Sequence, residues 1–241
     1  MSADHERLRK IRKLLALAED PGATPAEAAA FTEKAAMLMA RHGIDEALVA
    51  EQGGTTRIAN RRIALPAPYA RDKATLVSAI SMALRCKAVM LTTNRDLVVQ
   101  VFGLDGDLRN VETLFTSLLV QASHELGNTP IPRGEHPAAF RRSWWSGFAI
   151  AVHTRLQEVS RTAASQAESD VTAGRTEAAS GAPSVALVLA HRADEIEDEV
   201  AKTYPELKRG RTRRLSGGGH AAGYQSGQRV DLGTLAKLPV A

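Results

Sequence analysis

One residue of the 241 is a cysteine, Cys86, which excludes an internal disulfide framework and a zinc site built on several thiolates. Aromatic residues make up 4 %, so a core must be mainly aliphatic and alanine-rich. No apolar run approaches the roughly 18 residues that span a bilayer. The first residues carry charge from Asp4 onward and hold no apolar signal core, so a cytoplasmic protein without a membrane partner is expected. Catalytic signatures are missing as well. No serine sits in a nucleophile elbow and no P-loop occurs. His124-Glu125 opens like a zinc-protease helix, but position 128 is Asn and the second ligand is absent. His191 and Glu195 could share a helical face, yet two ligands do not make a site. Cys86 lies between Arg85 and Lys87, which would activate an exposed thiol, but the end of a buried helix makes it an inert core residue. No metal and no cofactor are expected.

What is present is most legible between Arg7 and Ile44. Leu8, Ile11, Leu14, Leu15 and Ala18 recur at three- and four-residue steps and form one helical face, with Arg7, Arg9, Lys10, Arg12 and Lys13 at the other positions. Pro21-Gly22 ends that helix. Thr24-Pro25-Ala26-Glu27 opens a second: Thr24 is the N-cap, Pro25 the first helical residue, and Glu27 completes a capping box. Phe31, Ala35, Leu38 and Met39 continue its apolar face, and Gly43 reads as a left-handed C-cap.

The segments Lys10–Ala18 (KIRKLLALA), Thr24–Ala28 (TPAEA) and Lys34–Ile44 (KAAMLMARHGI) resemble a bacterial and phage family known only as a domain of unknown function. Further pieces resemble its longer members: Phe102–Ala122, Ala139–Val152 and the Gly-spaced Ala221–Gly233. The resemblance implies an architecture and a bacterial or phage cytosolic setting, and it brings no catalytic residues with it.

Beyond a Gly-rich joint at Gln52–Thr56, a strand near Arg62–Leu65 is followed by a helix from Asp72 to Arg85 that buries Leu76, Ile80 and Leu84. Lys87–Thr92 and Leu97–Phe102 are β-branched and apolar, with Thr93–Asp96 as their turn. A helix starts at Asp105 and runs to Leu126. The expected fold is therefore α+β and mostly helical. It comprises an N-terminal helical hairpin (1–50) and an α+β domain (58–241), whose β-α-β-β-α core holds a small antiparallel sheet covered on one face by helices. A long helix follows from Ala138 to Ser165, with Phe140, Trp144 and Phe148 on its core side and Trp145 about 100° round, partly exposed. Residues 163–181 read as a frayed helix end or a linker, and Val185–Leu189 as strand or helix. In the tail, Gly219, Gly223 and Gly227 form a smooth helical face for close backbone packing, at a cost of about 1 kcal/mol per glycine in helix propensity.

Net charge is +4, unevenly placed. Residues 1–13 carry five bases against Asp4 and Glu6, and residues 206–214 carry five against Glu206, whereas Asp194–Glu199 holds five acids. Basic clusters attract polyanions, although many only solvate helix faces. Arg141-Arg142 beside Trp145 joins two guanidiniums to an indole, a pairing suited to phosphates and bases. Gly217–Ala222 fits a loose dinucleotide-loop pattern without the strand that should precede it. The leading expectation is a non-enzymatic protein that binds DNA or RNA through Arg9, Lys10, Lys13, Arg141, Arg142, Trp145, Lys208, Arg209, Arg211, Arg213 and Arg214. The alternatives are a protein-interaction or oligomerisation module, and a hydrolase or nuclease with a site assembled from distant residues.

Overall fold

The computed structural model describes residues 3–20, 22–51, 57–92, 97–173, 184–208, 210 and 213–229. The joint at Gln52–Thr56, the turn at Thr93–Asp96, residues 174–181, Arg209 and Arg211 lie outside the described residues.

The hairpin consists of α1 (Ala3–Ala18) and α2 (Pro25–Glu51). Its turn is closed by the expected capping box: the Glu27 carboxylate accepts from Thr24 N at 2.9 Å, and the Thr24 hydroxyl accepts from Glu27 N at 3.2 Å. Ile11, Leu15 and Ala18 of α1 are buried, while Arg9, Lys10, Arg12 and Lys13 are exposed. Gly43 does not stop α2, which continues to Glu51 because Ile44, Ala47 and Leu48 extend its apolar repeat and are buried. Gly43 is instead a contact position: a Cβ there would stand 3.0 Å from Asp107 Cγ.

Strands β1 (Ala59–Leu65), β2 (Lys87–Thr92) and β3 (Leu97–Gly103) form an antiparallel sheet in the order β1-β3-β2. Helices α3 (Ala70–Ala83) and α4 (Asp105–Asn128) cover one face, where Leu97, Val99 and Val101 meet Leu76, Ile80, Leu114 and Leu118. The hairpin residues Ile11, Leu15, Ala35 and Met39 share this core. The second face is covered too. Val89 and Phe102 pack against Ile196 and Val200 of α6 (Val185–Thr203), with the Tyr204 ring edge-on to Phe102. Buried Gln100 on that face accepts from Tyr204 Oη at 2.7 Å and from Arg62 Nε at 3.0 Å, and donates to Asn60 Oδ1 at 3.0 Å. Residues 185–189 are helical, started by Ser184, whose hydroxyl accepts from Leu187 N.

Helix α5 (Pro137–Thr172) runs through the centre, and α7 (His220–Arg229) lies along it. The four-residue glycine repeat matches an aromatic repeat. A Cβ at Gly219 would stand 3.1 Å from the Phe140 carbonyl carbon, one at Gly223 2.6 Å from that of Trp144, and one at Gly227 2.7 Å from Phe148 O. The matches run in the same direction, so α7 is parallel to α5 with glycines seated on its backbone. Gly147 of α5 reciprocates against His220 and Tyr224. Arg155 caps the far end of α7, donating to Gly227 O at 3.0 Å and Gln228 O at 2.9 Å.

This arrangement corrects one expectation. Trp145 is 2 % exposed, not a surface indole. A helix packed on one side only would expose it, but α5 is packed by α2, α3 and α7, and none of residues 143–149 is exposed. Trp145 stands edge-on to Trp144 and Phe148 within the core and cannot stack on a base.

Candidate nucleic-acid interface

A groove of about 740 Å³ opens between α3, β2 and the segment that joins α6 to α7. One wall is a single face of α3, because Arg71, Thr75 and Ser78 follow at helical spacing with Asp72 beside them. The opposite wall is β2, from Lys87 to Met90 and Thr92, and the floor includes Ser146 of α5. The third side is the strap between α6 and α7, represented by Leu207, Lys208, Gly210, Arg213 and Leu215.

Local chemistry holds the described residues of the strap in place. At its start Leu207 N donates to Tyr204 O at 3.1 Å, and the Tyr204 hydroxyl is fixed on Gln100. At its end Gly218 N donates to the Glu135 carboxylate at 3.2 Å before α7 docks on α5. In between, Arg213 Nη1 donates to Asp72 Oδ1 at 2.8 Å. Asp72 is buried in the first turn of α3, and burial pushes its carboxyl above the usual range, opposed by the charges of Arg213 and Arg142. Among the described residues, Arg71, Lys87, Lys208 and Arg213 line the groove with one carboxylate, that of Asp72, and Arg142 lies close enough to act on it. Lys87 also reaches Glu197, one of the acids of the 194–199 run, across the neighbouring α6.

Of the residues singled out in sequence, the structure brings Lys208 and Arg213 into the groove and Arg142 near it. Arg141 and Arg214 are exposed but do not line it, and neither do Arg9, Lys10 and Lys13 on α1. Sequence reading missed Arg71 and Lys87. Neither belongs to a conspicuous run of bases, and only the fold brings them to one groove.

A second charged cluster is internal. Asp107, in the first turn of α4, is wholly buried and paired with Arg192 of α6. The same guanidinium donates to Gly43 O of α2 at 2.9 Å. Arg85, which follows α3 with a positive φ of 59°, donates to Ala40 O at 3.2 Å and adds its charge. Burial pushes the Asp107 carboxyl up, and Arg192 and Arg85 counter it. Glu46 and His42 of α2 crowd Gly106, where a Cβ would stand 2.6 Å from Glu46 Oε2. Neighbouring Cys86 is buried, and desolvation holds its thiol well above the ordinary value, which makes it unreactive. Among the described residues no group of three or more His, Cys, Asp or Glu is placed to hold a metal ion, and no helix is long and apolar enough to cross a membrane.

Residues 7–46 match the model of a family described as Protein of unknown function (DUF2786). The match covers α1 from Arg7, the capping box, and α2 as far as Glu46, which is the stretch whose sequence resembles an uncharacterised domain family. No curated protein and no solved structure matches the chain.

Proposed function

We propose that this is a non-enzymatic, nucleic-acid-associated protein whose polyanion site is the groove between α3, β2 and the strap. The observation that carries the reading is the gathering of Arg71, Lys87, Lys208 and Arg213, from three separate parts of the chain, around one concave surface that among the described residues holds one carboxylate, Asp72. Thr75, Ser78 and Ser146 add hydroxyls of the kind that accompany Arg and Lys on phosphate oxygens. Binding of this type is electrostatic, tolerant of sequence and strongly salt-dependent. The reading places the protein in the cytoplasm of a bacterial or phage-infected cell, where such polymers are abundant.

Fluorescence anisotropy with labelled DNA and RNA across a salt series tests it. The expected result is binding in roughly the micromolar range at physiological salt, with log K falling linearly against log salt. Charge reversal at Arg71 and Lys208 is expected to flatten that line, and reversal at Arg9 and Lys13 to leave it in place. Absence of salt-dependent binding overturns the reading.

An interaction module is the second reading, motivated by the exposed apolar residues Met82 and Leu187. The glycine stripe of α7 is consumed internally by α5. Light scattering separates the readings, since a stable oligomer without polyanion affinity favours this one.

A further inference from the structure

We infer that the groove takes a single strand of nucleic acid rather than a duplex, an inference that rests on the polyanion reading and narrows its substrate class. Two features of the groove have nothing to gain from a duplex.

The first is its apolar content. Met90, Leu207 and Leu215 stand in the lining among the cations, and Met90 and Leu207 are 47 % and 49 % exposed. A duplex hides the faces of its bases in its own stack and presents phosphates, sugars and groove edges. A single strand offers both phosphate and base face, and a groove that holds cations together with exposed apolar side chains is complementary to that pair. Among the described residues no aromatic side chain lines the groove, so bases pack here on aliphatic and thioether surface. The contact is weaker than an aromatic platform and equally indifferent to base identity.

The second feature is the strand edge. In the order β1-β3-β2, β2 pairs with β3 alone, and among the described residues no backbone group pairs with its outer edge. Lys87 to Met90 and Thr92 of that edge strand line the groove. Unpaired backbone donors and acceptors suit the base edges that a single strand leaves open and a duplex closes. The arrangement therefore puts phosphates toward Arg71, Lys208 and the hydroxyls of α3, and bases toward β2 and Met90.

The test is anisotropy with a labelled oligo-thymidylate and a mixed-sequence duplex of equal length, on the wild-type chain and on a Met90→Ser/Leu207→Ser variant. Both positions are solvent-exposed, and circular dichroism checks the variant's fold. The expected result is tighter binding of the single strand than of the duplex. The variant is expected to lose about tenfold for the single strand, the order of one lost base-packing contact, and nothing for the duplex. Duplex binding as tight or tighter, or single-strand binding that ignores the double substitution, overturns this inference and leaves the cationic-groove reading standing. Failure to bind either form removes both. Displacement of the oligonucleotide by poly-glutamate at equal charge concentration would assign the groove to an acidic extended peptide and likewise overturn the inference.

Discussion

The parallel packing of α7 on α5 yields a prediction whose sign runs against helix propensity. Gly223 is helical, and Gly→Ala in a helix ordinarily stabilises by up to about 1 kcal/mol. Here the added Cβ would stand 2.6 Å from the carbonyl carbon of Trp144 and closer still to its oxygen. Both sides of that clash are backbone of two docked helices, so no rotamer change relieves it. Overpacking of this kind costs roughly 1–3 kcal/mol, and backbone contact places it at the upper end. The propensity gain offsets part, leaving a net loss of about 2 kcal/mol for Gly223→Ala. For a chain of this length that corresponds to a fall in Tm of about 4–8 °C. Gly127, in the last turn of α4 with open space around its missing Cβ, is the internal control. Gly127→Ala is expected to be neutral or to raise Tm by a degree or two, on the order of its propensity term. Differential scanning calorimetry reads both variants. Should α7 undock locally instead, Tm would move less, but α5 would lose its cover over Trp144 and tryptophan emission would shift to the red. A Gly223→Ala variant with unchanged or raised Tm and unshifted emission refutes the reasoning.

Three further predictions follow from other contacts. Arg192→Met leaves Asp107 buried without its cation, and urea denaturation is expected to show a loss of about 3–5 kcal/mol, of which Asp107→Leu/Arg192→Leu recovers a large part. The Glu27 carboxyl is held below its ordinary range by its hydrogen bonds from Thr24, so it contributes stability at pH above its unfolded value that is lost as pH falls through its folded value; Thr24→Ala is expected to return its NMR titration midpoint upward. The Asp72 carboxyl is raised by burial, so its contribution has the opposite sign, full below the unfolded value and lost as pH rises through the folded one. Asp72→Asn removes that loss and frees Arg213, and is expected to tighten polyanion binding and steepen the salt dependence by close to one phosphate's worth.

Much of the architecture was legible in the sequence because it is written in short-range patterns. The Thr24–Glu27 cap, the apolar faces of α1 and α3 and the glycine repeat of α7 each depend on residues within a few turns of one another. Legibility failed where one residue type serves two purposes or where a second neighbour intervenes. Gly43 reads equally well as a helix stop and as a contact position, and only the arrival of Asp107 decides between them. Trp145 is off the core stripe of an isolated helix, but α5 has neighbours on several sides, and none of residues 143–149 is exposed. The groove was half visible. Its strap carries a conspicuous run of bases, whereas Arg71 and Lys87 are single residues that matter only once α3 turns back along β2. The Asp107–Arg192 pair, 85 residues apart, had no local signal at all.

That pair also bears on what the family match can convey. A buried ion pair is weak evidence for stability, since apolar residues of similar volume often serve as well, and its better-attested use is to fix register. Here Arg192 holds Gly43 O and Asp107 together, so α2 is set against α4 and α6 at one position along its length. The α2 half of this joint, His42, Gly43 and Glu46, falls inside the matched segment, while Asp107 and Arg192 fall outside it. None of the groove residues lies in the matched segment. The hairpin therefore carries a docking geometry, and the groove is a separate property of the chain that follows it. A protein sharing only the hairpin should need a partner surface with a small residue and a buried charge opposite His42-Gly43, and need not share the cationic groove.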